Sequence, residues 1–177
     1  KQTTIKKTPD VSEVAIAASD KLAFVTSLLN RELTMKDFVP VKLVDVRGLT
    51  IGRGFTGAMR RFGIALKQHK SEKGRRRPGS LGPWHPARVT FRTPMAGQLG
   101  MLTRVHYNTN ILSVGSITEK NINPKQGFMH YGFVQSGYII VKGSVQGPAK
   151  RQILITPALR PTKSTMKKKY EFQELVV

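Results

Sequence analysis

Apolar residues recur at helical spacing near the start of the chain and at strand spacing along much of the rest. The first pattern predicts a helix over residues 19–29, with Ser19 or Asp20 as its cap and Asn30 as its C-terminal stop. Its apolar positions are Leu22, Val25, Leu28 and Leu29. An earlier start near Ser12 is an open alternative. We expect this helix to pack on the strands that follow.

Five segments have the apolar pattern of strands, namely residues 41–50, 105–107, 111–117, 138–142 and 152–156. Residues 108–110 predict a turn between the second and third segments. A glycine-containing turn over residues 143–148 predicts that the last two segments form a hairpin. Residues 87–92 also alternate, which indicates an extended segment with one face available for packing. A short helix is predicted over residues 59–68.

The arrangement of these segments predicts a mainly β fold, a small β-barrel with a short flanking helix and a long basic extension. Predicted strands lie before and after residues 55–103, so this stretch would extend out of the barrel as one long segment. A loop of ~50 residues is abnormal in a compact domain unless a partner orders it. We therefore divide the chain into an N-terminal segment with the first strand (1–54), the extension (55–103), the remaining strands (104–161) and a basic tail (162–177).

Charge is distributed unevenly and points to a polyanionic partner. The 177 residues include 30 Lys and Arg against 10 Asp and Glu, a formal net charge of +20. Residues 47–104 hold thirteen of these cations and a single acid, Glu72. Like charges this close cannot share a dry core, because an unpaired buried charge is strongly unfavourable. A phosphate backbone is the natural counter-charge.

Other function classes find little support in the sequence. No apolar run approaches the ~20 residues that a transmembrane helix needs, and cysteine is absent, which removes thiolate metal sites. The four histidines lack metal-ligand spacing, and no P-loop or G-x-S-x-G motif occurs. Ser80 lies near His85 without an orienting acid, so no catalytic triad is expected. We expect no enzymatic activity, no metal site, no small-molecule substrate and no membrane partner.

One motif imitates a nucleotide-binding fingerprint. Residues 52–57 read GRGFTG, which matches G-x-G-x-x-G after a predicted strand, and Glu72 lies 20 residues beyond Gly52. No alternation of strands and helices follows, and Glu72 lies within the basic run HKSEKGRRR. We therefore favour glycines that let the backbone approach a phosphate closely over a dinucleotide-dependent enzyme.

The basic stretch is the predicted RNA-binding surface. Its cationic members are Arg53, Arg60, Arg61, Lys67, Lys70, Lys73, Arg75, Arg76, Arg77, Arg88, Arg92 and Arg104. The glycines predicted to allow close backbone approach to RNA are Gly52, Gly54, Gly57, Gly79, Gly82, Gly97 and Gly100. Trp84 lies among Gly and Pro, away from any periodic apolar face, so we predict that it stacks on a base or ribose, the alternative being a core position. His85 beside it either donates to a phosphate or 2′-hydroxyl or simply caps the turn.

Several segments resemble the ribosomal protein L three family of the large subunit, in its archaeal and eukaryotic form. They are GRGFTGAMRRFG (52–63), RRPGSLGPWHPARV (76–89), MAGQLG (95–100), and HYG (130–132) followed by GSVQGPAKR (143–151). The resemblance covers roughly residues 41–161 and implies a translation-protein-type β-barrel, with the extension reaching toward the peptidyl transferase centre. It places Trp84 and His85 at the tip of the extension, with Arg76, Arg77 and Arg88 along the approach.

The partners implied by the resemblance are large-subunit ribosomal RNA and neighbouring ribosomal proteins, within cytoplasmic ribosomes. No cofactor is implied, and structural Mg²⁺ would be held by the RNA rather than by this chain. Members of this branch also have a basic N-terminal arm and barrel-opening strands that this sequence does not show, which leaves open an incomplete barrel or a chain that is part of a longer protein. A non-specific architectural nucleic-acid binder is the alternative, although the Gly- and Pro-broken stretch is unlike a groove-binding helix.

Overall fold

The computed structural model describes residues 6, 8–29, 31, 33 and 41–175. The chain divides into two compact units. We call Lys1–Gly48 with Val105–Val177 the sheet unit and Leu49–Arg104 the basic unit. The elements in chain order are α1 (Lys21–Leu28), β1 (Leu43–Leu49), β2 (Phe55–Thr56), α2 (Ala58–Phe62), β3 (Gly97–Gln98), β4 (Thr103–Ser116), β5 (Gly137–Val141), β6 (Ile153–Pro157) and α3 (Lys163–Lys167). Strands outweigh helices, which confirms the mainly β prediction.

The sheet unit is built on four strands in the order β5-β4-β1-β6. β1 pairs antiparallel with β6, with Val46 opposite Ile155. β4 pairs antiparallel with β5, with Val114 opposite Ile139. Among the described residues this sheet is open, with β5 and β6 at its edges. Closure into a barrel therefore stays a prediction.

The core of the sheet unit lies on β1. Residues 43–46 are all buried, and Tyr138 of β5 is buried as well. Successive residues of β1 are buried on both faces of the sheet, so this strand needs no polar face. Asp45 is fully buried among these apolar residues. It accepts hydrogen bonds from the backbone N–H of Asn108 at 2.9 Å and of Leu159 at 3.1 Å, one on each carboxylate oxygen.

α1 forms where the sequence predicted a helix, but it differs in start and packing. Asp20 caps it by accepting a hydrogen bond from the Ala23 N–H at 3.1 Å. The earlier start near Ser12 is wrong, since residues 11–18 have no regular structure, and Asn30 lies outside the described residues. The expected packing is also wrong, because none of the described helix residues is buried and Leu22 is 81% exposed. Packing on a sheet requires one apolar stripe along a helix. The apolar side chains of α1 are instead distributed around the helix.

The predicted turn at residues 108–110 is wrong, because β4 runs through it as one strand. Asn108 adopts a left-handed conformation with φ 56°, which asparagine tolerates better than most residues. The Asp45 carboxylate accepts its N–H, and Thr109 and Asn110 are buried within the strand. A residue pattern typical of turns therefore marks a distortion inside a strand that a buried acceptor stabilises.

The predicted hairpin of the last two strands is also wrong, since β5 and β6 lie at opposite edges of the sheet. The connection between them crosses the middle strands. Lys142 donates its N–H to Asn110 O of β4 at 2.9 Å, and Gln146 then donates its side-chain amide to Val46 O of β1 at 3.1 Å. These bonds carry the chain past β4 and β1, so β6 meets β1 and not β5.

The basic unit begins and ends on an antiparallel ribbon of β2 and β3. Main-chain bonds extend the ribbon, from Arg53 N–H to Leu99 O and from Leu99 N–H to Gly54 O, both at 2.9 Å. Backbone groups of the GRGFTG segment are therefore hydrogen-bonded to residues 97–99 of the same chain. In a dinucleotide-binding turn the backbone N–H groups would be available to the phosphates. α2 ends at Phe62 because Gly63 takes a left-handed C-terminal conformation, so the predicted helix over residues 59–68 is shorter than expected.

The predicted extended segment at residues 87–92 is wrong. Arg88 donates its N–H to Pro86 O at 2.7 Å, and Thr93 to Thr90 O at 3.1 Å, so the chain turns there. Val89 and Phe91 are both exposed, and the alternation of apolar residues has no packing partner in the basic unit. Alternation predicts a strand only where another strand can pair with it and a core can receive one of its faces.

Candidate nucleic-acid interface

The basic unit presents most of its cations to solvent. Of its twelve Lys and Arg side chains, eleven are exposed and only Arg61 is partly buried. The exposed ones are Arg53, Arg60, Lys67, Lys70, Lys73, Arg75, Arg76, Arg77, Arg88, Arg92 and Arg104. Glu72 is the single carboxylate of the unit. The structure thus brings the predicted cations together in one unit with little internal neutralisation, as a phosphate-binding surface requires.

Arg61 has a structural position within this cationic set. Its guanidinium donates to Gln98 O and to Met95 O, both at 3.0 Å, and lies 5.1 Å from the Phe62 ring centroid. A Cβ added at Gly97 would lie 2.8 Å from the guanidinium. Arg61 therefore links the β3 region to α2. The close approach of its guanidinium explains why residue 97 is glycine without invoking a ligand. Direct contact of these two residues with RNA stays a prediction.

The other predicted glycines fall into two groups. Gly100 has φ 74°, and a Cβ there would lie 2.1 Å from Ile51 O, so the fold itself requires glycine. The segment with Gly52 and Gly54 pairs with Leu99 through the Arg53 N–H and the Gly54 carbonyl. A Cβ added at Gly54 would meet nothing within 4 Å, although its φ of 63° favours glycine, and a Cβ added at Gly57, Gly79 or Gly82 would also meet nothing within 4 Å. These three glycines face open space, as backbone available to a ligand would.

Residues 67–75 form a closed basic loop. Lys67 and Arg75 close it, since the Lys67 N–H donates to Arg75 O at 3.2 Å and Arg75 Nε donates to Lys67 O at 3.3 Å. Inside the loop, the Ser71 N–H donates to Gln68 O at 3.1 Å. The loop presents Lys70 and Lys73 to solvent beyond the closing pair. The sequence predicted the charge of this loop but not the bonds that shape it.

Trp84 lies at the surface and outside the core. Its side chain is 85% exposed, in a loop whose residues 81–84 and 86–89 line a cavity of about 390 Å³. Ser80 Oγ donates to Gly82 O at 3.0 Å, and Thr93 Oγ1 donates to Leu81 O at 3.0 Å, which shape one end of the loop. The peptide bond between His85 and Pro86 is cis, and His85 is exposed. An exposed indole on a shaped loop is available for stacking, although stacking on RNA stays a prediction.

The sheet unit contains a set of lysine–aromatic contacts that the sequence did not predict. Lys142 donates to the Tyr170 hydroxyl at 2.7 Å, with its ammonium 4.0 Å from the ring centroid, and Lys120 lies 5.3 Å from the Phe172 ring centroid. The hydrogen bond from Lys142 lowers the pKa of Tyr170 below its usual value, helped by the charges of Lys142, Lys168 and Lys42 and opposed by burial. These contacts hold the segment after α3 on the sheet unit.

Two negative observations concern the described residues alone. Within the part of the chain that the structure describes, no helix has the length and apolar character to cross a membrane. Over the same residues, no group of three or more His, Asp or Glu side chains is placed to hold a metal ion.

Comparison with known proteins agrees with the motifs. A family model described as ribosomal protein L3 matches residues 1–175. The large ribosomal subunit protein uL3 of Methanococcus vannielii is 41% identical over 162 residues, which cover 88% of this chain and 48% of the relative. The uL3 protein of Methanocaldococcus jannaschii is 39% identical over 168 residues, covering 92% of this chain and 50% of the relative. The chain thus spans about half the length of the curated relatives it matches, and it belongs to the ribosomal protein L3 family.

Proposed function

We propose that this chain is a structural, non-enzymatic constituent of the large ribosomal subunit and that it binds ribosomal RNA through the basic unit. The observation that carries the proposal is the exposure of eleven of the twelve cations in a unit with one carboxylate. The uL3 relatives are named as proteins of the large ribosomal subunit, which supports ribosomal RNA as the polyanion. Ribosomal RNA and neighbouring ribosomal proteins would be its partners, in the cytoplasm, and structural Mg²⁺ would be held by the RNA.

The proposed mechanism is charge neutralisation combined with stacking at one loop. Residues 55–103 would form an extension that enters the RNA toward the peptidyl transferase centre, with Trp84 and His85 at its tip. The open sheet of the sheet unit would be completed into a translation-protein-type barrel by chain outside the described residues. In this role the protein supports assembly of the subunit and holds RNA in place without carrying out chemistry.

The exposed cations set an expected salt dependence. If ~8 of the eleven contact phosphates, counterion release gives a slope of about −6 to −7 in a plot of log affinity against log salt. Affinity at low salt would then report charge alone and would not separate ribosomal RNA from other nucleic acids. Discrimination has to be measured at moderately high salt.

The deciding experiment is competition between large-subunit ribosomal RNA and duplex DNA for the whole chain at ~0.3 M salt, where non-specific attraction is weakened. We expect preference for the RNA by a factor of ~100 or more, within the usual span between specific and non-specific affinities. Equal competition would favour the non-specific architectural binder. One structural feature argues against a groove-binding mode, since α2, the helix that carries Arg60 and Arg61, is only five residues long.

A further inference from the structure

A second cavity in the basic unit lies beside the Trp84 loop and shares Leu81 with the cavity there. It is a groove of about 360 Å³ formed by three separate stretches, namely residues 57–58 at the start of α2, residues 76–79 with Leu81, and residues 94–96. Its lining is largely apolar, with Ala58 buried and Pro94 and Met95 along one wall. Arg76 and Arg77 also line it and are exposed.

Hydrogen bonds hold the walls of the groove in place. Arg61 of α2 donates to Met95 O at 3.0 Å, which ties the 94–96 wall to the helix that begins at the other wall. Thr93 Oγ1 donates to Leu81 O at 3.0 Å, which ties the same wall to the 76–81 stretch. The groove is therefore largely preformed, which lowers the cost of ordering it around a ligand.

Two glycines leave the groove open. Gly57 and Gly79 both line it, and a Cβ added at either would meet nothing within 4 Å. Neither has a left-handed φ, and that of Gly57 is −69°, so the fold does not require glycine at these positions. Open space beside backbone, walled by apolar side chains, admits a flat ligand face.

The charge of the surroundings selects the ligand. No carboxylate lines the groove, and both charged side chains that do are arginines, in a unit whose only acid is Glu72. A planar apolar face combined with an anionic group describes a nucleotide, and arginine recognises both, because its guanidinium stacks on bases and pairs with phosphate. An apolar peptide would leave the two arginines without a counter-charge.

We propose that this groove binds one unstacked nucleotide of RNA, with its base against the apolar wall and its phosphate on Arg76 and Arg77. The proposal rests on the proposed function, since it takes RNA as the partner of the basic unit. The groove would contribute sequence-specific recognition to the basic unit, because proteins recognise RNA sequence mostly at bases that have left the helical stack. Gly57, Gly79 and Met95 line this groove and not the cavity of the Trp84 loop, so its occupation can be tested separately.

The test adds bulk where the free protein has room. Gly57→Val and Gly79→Val should fold as the parent does, by circular dichroism and thermal melting, yet bind large-subunit ribosomal RNA ~10-fold more weakly at ~0.3 M salt, as loss of one stacked base would produce. The matched control is Ala65→Val, which adds bulk at an exposed position outside the groove. Affinities equal to that control, in folded variants, would overturn the proposal while leaving the parent's RNA binding intact.

A second measurement holds even if the valine variants fold poorly. A photoreactive residue at Met95, in the groove wall, should crosslink to a single RNA position, whereas one at the exposed Met129 of the sheet unit should not give that product. Crosslinking of Met95 to a ribosomal protein in assembled subunits, or to no fixed RNA position, would refute the nucleotide site. Failure of the parent chain to prefer ribosomal RNA would instead refute the proposed function itself.

Discussion

Replacing Asp45 with alanine should destabilise the sheet unit more than replacing any other acid among the described residues. The carboxylate is fully buried, and its two oxygens accept the N–H groups of Asn108 and Leu159 at 2.9 and 3.1 Å. Removing it takes the acceptor from two N–H groups in part-buried hydrogen bonds, at a cost of about 1–3 kcal/mol for each donor that water does not reach. The expected loss is therefore about 2–6 kcal/mol, a large part of the ~5–15 kcal/mol that stabilises a typical domain.

The assay is urea unfolding of the whole chain followed by far-UV circular dichroism, with amide hydrogen exchange at Asn108 and Leu159 as a local readout. Glu171→Ala is the matched control, because it removes the same charge from an exposed position of the same unit. Asp45→Asn should lie between the two, since the amide keeps one acceptor oxygen. If Asp45→Ala unfolds within ~0.5 kcal/mol of the control at unchanged m-value, the buried carboxylate does not stabilise the sheet as argued.

Three further predictions address the basic unit and the C-terminal segment. Arg61→Lys keeps the charge but loses the paired hydrogen bonds from the guanidinium to Met95 O and Gln98 O. Amide hydrogen exchange of residues 95–98 should accelerate, consistent with a local loss of stability of about 1–3 kcal/mol. Unchanged exchange would show that these hydrogen bonds do not stabilise the segment. Trp84→Ala should leave the melting temperature unchanged, because the side chain is 85% exposed, while weakening ribosomal RNA binding ~10-fold; a lowered melting temperature would place the indole in a core. The Tyr170 pKa is lower in the folded chain than in the unfolded chain, where it is about 10. Ionisation of Tyr170 therefore stabilises attachment of the tail increasingly as pH rises from the folded pKa to about 10, and this stabilisation is lost as pH falls through the folded pKa. In Lys142→Met the Tyr170 pKa should return toward ~10 in a tyrosinate titration with labelled tyrosine, and an unshifted titration would contradict the assigned cause.

The local sequence was sufficient for features that depend on near neighbours or on composition. The concentration of cations in residues 47–104 follows from counting, and the exposure of eleven of the thirteen follows because like charges cannot share a low-dielectric core. The helix capped by Asp20 and the strand at residues 43–49 follow from spacing and capping chemistry. The surface position of Trp84 was likewise predictable, because glycine and proline on both sides leave no periodic face to bury it.

Tertiary structure decided what depends on residues far apart in the chain. Strand pairing is non-local, so the sequence could not show that β5 pairs with β4 and β6 with β1, and the short turn between them imitated a hairpin. Burial of Asp45 depends on two backbone donors 63 and 114 residues away, which also turns the 108–110 segment from a predicted turn into part of β4. The structural role of Arg61 is non-local for the same reason. Its acceptors, Met95 O and Gln98 O, belong to a distant segment that the β2–β3 ribbon brings beside α2. Periodicity and charge are properties of neighbours along the chain, whereas pairing, burial and the role of each cation depend on which distant backbone groups fold against it.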